Sequence, residues 1–127
     1  MGAFVERRRG RRVSIPGRPG GRVRATLEAR LLDLGSTGAR IEHHNLLRLG
    51  FTCTLELPPA LGALVLSVRV VRSAVVGTET GPSGERLLQY ESGLAFLDLT
   101  AAQQATLEGV LDRLASGEAL GSGRLVL

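Results

Sequence analysis

The chain has 127 residues, 43% of them hydrophobic and 22% charged, with one Cys and two His. That is one domain's length, enough to bury a core, with too little Cys and His for a disulfide framework or a structural zinc site. No apolar run reaches the roughly 18 residues of a membrane span, and no apolar stretch follows the charged start as in a secretory leader, so a soluble cytoplasmic protein is expected. All 16 basic residues are Arg, and eight of them lie in residues 1–24 beside a single acid, Glu6. A basic arm therefore precedes a mildly acidic body. The planar guanidinium fork suits phosphates and the acceptor edge of guanine, so an anionic partner is the first inference.

Residues 1–21 combine Arg with Gly10, Pro16, Gly17, Pro19, Gly20 and Gly21 and lack periodic apolar positions, which predicts a flexible arm. From Arg22 to Leu31 the pattern alternates, with Val23, Ala25, Leu27, Ala29 and Leu31 facing inward, as in a half-buried strand. The stretch Asp33–Gly38 reads as a turn, and Ala39–Glu42 as a second strand. Alternation returns over 51–57, with Phe51, Cys53, Leu55 and Leu57 inward, until Pro58 and Pro59 end the strand. A β-branched run follows from Leu64 to Val76, with Ser67, Arg69 and Arg72 toward solvent. Gly77–Gly84 reads as a hairpin loop and Glu85–Phe96 as the returning strand.

Thr100 and Gln103 then form a capping-box pattern ahead of Leu107, Val110, Leu111 and Leu114 at helical spacing. The Gly- and Ser-rich residues 116–127 are expected to fray. His43 and His44 read as loop or surface residues, since neighbours on a strand face opposite ways and cannot share an ion. No nucleophile–base arrangement has a supporting motif, so neither an enzyme nor a bound cofactor or metal is expected.

Two motifs carry the functional signal. Glu6-Arg7-Arg8-Arg9-Gly10-Arg11-Arg12-Val13 sets Arg8 and Arg12 at an RxxxR spacing, and Asp33-Leu34-Gly35-Ser36-Thr37-Gly38 lies downstream. Alone, the first is most often a solvated tail and the second an ordinary turn. Together and in this order they resemble the PilZ domain family, whose hallmark is RxxxR followed by (D/N)xSxxG. Gly93–Leu99 is similar to the family's last strand, and the capped helix comes next as it does there, so the resemblance spans about residues 6–115.

The resemblance implies a mainly β fold, a six-stranded antiparallel β-barrel with a C-terminal α-helix. The domain plan becomes an arm (1–21), a barrel with its helix (22–115) and a frayed tail (116–127). It also implies a receptor for the second messenger cyclic di-GMP, which orders its arm on the ligand and signals to a separate effector protein. Arg8 and Arg12 would hold phosphate and guanine. Asp33 would accept from the guanine N1–H and N2–H2 donors, with Gly35, Ser36, Gly38 and Arg40 around it. Gly38 would allow a close backbone approach or a positive φ. Arg7, just before the motif, points in that family to an intercalated ligand dimer.

Gly35 stands where the family has Ser. If the turn keeps the family's geometry, a hydroxyl contact worth about 0.5–1.5 kcal/mol is lost unless Ser36 or Thr37 swings in. The alternative is therefore a PilZ-like adaptor that works by protein–protein contacts without nucleotide. A barrel for single-stranded nucleic acid fits worst, because such sites stack bases on aromatics and the chain has only four, Phe4, Phe51, Tyr90 and Phe96. Neither a nucleic-acid polymer nor membrane insertion is expected.

Overall fold

The computed structural model describes residues 25–127 apart from Glu118. The expected arm, with Arg7, Arg8 and Arg12, lies outside the described residues. The chain runs β1 (Thr26–Leu34), β2 (Gly38–His43), β3 (Thr52–Glu56), β4 (Val65–Thr80), β5 (Arg86–Phe96), α1 (Ala101–Ala115) and β6 (Ser122–Val126). The six strands close an antiparallel barrel in the order β1-β2-β5-β4-β3-β6. Inward residues of every strand meet in one core, among them Ile41, Leu55, Leu66, Val68, Val70 and Leu125.

The expected strands form, with shifted ends. The β4–β5 ribbon is longer than the composition of 77–84 suggests: Gly77 and Thr78 still pair with Gln89 and Leu88, and the loop tightens to the Gly81–Glu85 turn. Two inward assignments fail at strand starts. Ala25 is exposed ahead of β1, and Phe51 is 40% exposed ahead of β3. Each is tied to a neighbouring strand by its carbonyl alone, Ala25 accepting from Leu127 N–H and Phe51 from Val70 N–H, while Phe51 N–H turns back to the Arg48 carbonyl. Alternation fixes a facing only where the ladder holds the residue on both sides.

The largest difference is at the C-terminus. Residues 116–127 do not form a frayed tail, because β6 pairs with β1 on one side and β3 on the other and so completes the barrel. The Gly content that suggests coil serves the closure. Gly121 takes φ +72° at the entry to the strand. At Gly123 a Cβ would lie 2.9 Å from the Glu56 carbonyl oxygen, so only a hydrogen there lets β3 approach.

Two irregularities matter for the outer face. In β1 the register with β2 slips between Leu31 and Asp33, and in β4 the register with β5 slips between Val70 and Arg72. Each slip inserts one residue, Leu32 or Val71, and so reverses the in–out parity of the strand beyond it. Ala29 and Leu31 face inward but so does Leu34; Val68 and Val70 face inward but so does Ser73.

Thr100 caps α1 as expected: its hydroxyl accepts from Gln103 N–H while the Gln103 side chain accepts from Thr100 N–H. Leu107 and Val110 are buried against the core. Gln103 Nε2 donates to the Val65 carbonyl and Arg113 Nη2 to the Ala60 carbonyl, which seats the helix over the β3–β4 corner.

Leu125 is fully buried in β6. Leu125→Ala is expected to cost roughly 2–5 kcal/mol by urea denaturation. A frayed tail would give no measurable loss.

Candidate functional site

An open cleft of about 400 Å³ lies on the outer face where β1, β2, β5 and β4 run side by side. Its wall includes Asp33, Gly35, Gly38 and Arg40, four of the expected site residues, together with Thr37, Val71, Arg72 and Gly93. Ser36 is exposed and stays out of the wall.

The cleft is built on pairing register. Asp33 is opposite Arg40, Arg40 is opposite Gly93, and Gly93 is opposite Arg72. Directly opposed residues face the same side of a sheet, so these four form one outward row across four strands. One step along, Gly38 pairs with Ala95, which leaves a floor of small residues, Gly38, Gly93 and Ala95, between the charged side chains. The neighbouring inward row, Leu34, Ala39, Leu94 and Val70, anchors that floor to the core.

The β1–β2 turn is pinned at one end of the cleft. Gly35 N–H donates to the Gly38 carbonyl at 2.8 Å, and Phe96 N–H donates to the Thr37 carbonyl at 2.9 Å. Gly38 is needed for proximity, not for an unusual φ: a Cβ there would overlap the Leu94 carbonyl oxygen, and its φ is not positive. Gly35 places no hydroxyl in the cleft, and of the two candidate substitutes Thr37, not Ser36, reaches the wall.

The charges differ in their partners. Arg40 Nη1 is 3.2 Å from Glu91 Oε1, and Glu42, beside it on β2, is held by Arg30 at 3.2 Å. Asp33 and Arg72 have no hydrogen-bond or ion-pair partner among the described residues. Arg72 folds over Gly93, its Nη2 3.5 Å and its Cζ 3.7 Å from where a Cβ of residue 93 would stand.

Beneath this face lies a polar cluster that sequence reasoning missed. His43 is not a loop residue: β2 runs one residue further than expected, and the alternation turns His43 inward and His44 outward. His43 is only 2% exposed, shares a 2.7 Å hydrogen bond between its Nε2 and Ser92 Oγ, and stacks on Tyr90 with ring centroids 5.8 Å apart. Ser92 Oγ–H donates in turn to Ser73 Oγ at 3.0 Å. Burial pushes the His43 pKa down to about 4, so the ring is neutral near pH 7.

Among the described residues no three His, Cys, Asp or Glu side chains group as a metal site. In the same residues no helix is long and apolar enough to cross a membrane. The PilZ domain family model matches residues 6–113. Neither a curated protein nor a solved structure matches the chain at a significant level.

Gly38→Ala is expected to destabilise the domain by about 1–3 kcal/mol in chemical denaturation, because the methyl must displace Leu94 backbone. Gly35→Ala, whose Cβ would meet only the Gly38 carbonyl oxygen at 3.7 Å, should stay within about 0.5 kcal/mol of wild type. His43 gives a pH signature. Its folded-state pKa is below the unfolded value of 6.5, so the unfolded chain binds the extra proton in between. The stabilisation by neutral His43 is therefore complete above pH 6.5 and is lost as pH falls toward 4. Denaturation of wild type beside His43→Gln at pH 7 and pH 4.5 should show the wild type losing more stability by an amount on the order of 2 kcal/mol.

Proposed function

Because the chain belongs to the PilZ domain family, a family of cyclic di-GMP receptors, we propose that it binds cyclic di-GMP in the cleft between the β1–β2 turn and β4. One observation supports this most directly. Asp33, without a partner among the described residues, stands at the rim of a floor of small residues, Gly38 and Ala95, with Arg40 next to it. A guanine edge offers two donors to a carboxylate, and a bare sheet surface lets the flat base lie close. A site for phosphate alone would gain nothing from the acid.

Arg7, Arg8 and Arg12 supply the remaining contacts in this reading. Two phosphates and the O6/N7 edges of guanine match their guanidinium forks, with Arg7 available for a second, intercalated ligand molecule. Fixing each residue of the N-terminal segment costs about 1–2 kcal/mol, so its docking depends on several charge-assisted bonds of about 1.5–3 kcal/mol each. Ligand thereby orders the segment on the barrel and presents a changed surface to a separate effector protein. Domains of this family bind and relay; they are not enzymes. The protein acts in the cytoplasm, where its ligand class is made.

Gly35 favours a second reading, an adaptor that no longer binds nucleotide, since the turn lacks the family's Ser hydroxyl. Thr37 in the cleft wall offers a replacement hydroxyl.

The test is thermal unfolding with cyclic di-GMP, GTP and cyclic di-AMP, repeated on Arg8→Ala and Asp33→Ala. Ligand at a hundred times its Kd should add about 2.7 kcal/mol, several degrees of Tm. A rise restricted to the guanine dinucleotide and lost in both variants is expected. No rise at millimolar ligand would leave the adaptor reading.

A further inference from the structure

The two slips of register face each other across the cleft. In β1 the extra residue Leu32 turns Asp33 outward, where strict alternation from Ala29 and Leu31 would bury it. In β4 the extra residue Val71 does the same for Arg72, which alternation from Val68 and Val70 would point into the core. Both reversals deliver a charged side chain to the same row, Asp33–Arg40–Gly93–Arg72, one at each end. Bulges often re-aim a side chain at a binding site. Here one of the two serves a residue of the turn motif, and the other serves a residue of no motif.

The row is also polar along its length. Arg40 is occupied by Glu91, so the charges of the row without a partner among the described residues are the carboxylate of Asp33 at the β1 end and the guanidinium of Arg72 at the β4 end. With strands about 4.8 Å apart and the guanidinium lying back over Gly93 on β5, two spacings set the charges roughly 10 Å apart along the sheet. A guanosine nucleotide has the same polarity: donors on the base edge and an anionic phosphate at the other end, with base and ribose between. Gly38 and Ala95 keep the sheet low where those would lie, while the Arg72 side chain itself covers Gly93.

We infer that Arg72 is a ligand-contacting residue of this site, binding a phosphate oxygen of a guanine nucleotide whose base edge rests on Asp33. The inference rests on the cyclic di-GMP reading above. It gives the ligand an orientation, base toward β1 and phosphate toward β4. Gly93 has a part in it, since the absent side chain lets the guanidinium lie down on the sheet within reach of the cleft.

Calorimetric titration of the full chain with cyclic di-GMP and with cyclic di-AMP, at low and high salt, tests it. The variants are Arg72→Ala, Arg72→Lys, Asp33→Ala and, as a surface control at the far end of the ribbon, Arg86→Ala. Arg72→Ala should weaken cyclic di-GMP about ten- to hundred-fold and flatten the salt dependence. It should leave the ratio of guanine to adenine dinucleotide affinity unchanged, because a phosphate carries no base information. Arg72→Lys should keep most of the salt dependence, Asp33→Ala should reduce the base ratio, and Arg86→Ala should bind as wild type. Equal binding by Arg72→Ala and wild type would overturn the inference and leave the receptor reading standing. So would a lost base ratio with unchanged salt dependence in Arg72→Ala, which would place Arg72 on a base. Failure of the wild type to bind cyclic di-GMP would overturn both.

Discussion

A closed barrel leaves its strands no freedom of facing. With side chains alternating every residue and no edge at which a strand can slide, a shift of one position would turn an entire core face into water. The inward row that joins Leu34, Ala39, Leu94 and Val70 is held in this way by three ladders at once. Everything on the outer face inherits its position from that row, including the small residues that form the floor of the cleft. The cleft is therefore anchored to the core beneath it, although it is exposed.

The bulge at Val71 acts on both faces. It brings Arg72 out and, by the same reversal, turns Ser73 inward, where its hydroxyl accepts from Ser92. His43 completes this buried chain through Ser92. A buried polar group is tolerable only when its hydrogen bonds are satisfied, so the His43–Ser92–Ser73 cluster fixes the register of β2, β5 and β4 more sharply than an apolar set would. The outer site and the inner polar cluster share one local cause.

Most of this architecture is legible in the sequence because alternation is a strong signal. The strand cores, the capped helix and the Asp33–Gly38 turn are all readable from local pattern, and so are four cleft residues, Asp33, Gly35, Gly38 and Arg40. The bulge in β4 leaves a trace as well: the solvent-facing set Ser67, Arg69 and Arg72 changes parity after Arg69. Without a partner strand to read against, that trace does not say which face Arg72 shares or with whom. Pairing between β4, β5 and β2 is long-range information, and the row Asp33–Arg40–Gly93–Arg72 exists only in it. The tail misleads for the opposite reason. Gly121 and Gly123 signal coil locally, whereas the positive φ of one and the close approach at the other are what closure of the sheet requires.

Closure also ties the two ends of the described chain together. Leu127 N–H donates to the Ala25 carbonyl at 2.9 Å, so the last residue of the chain clasps the first one described. Thr26 and Val126 pair immediately inside that clasp. Loosening the chain from either side thus breaks the same hydrogen bond and bares the same seam between β1 and β6. Hydrogen exchange along that seam would report a loosening at Ala25 through Leu127, residues at opposite ends of the described chain.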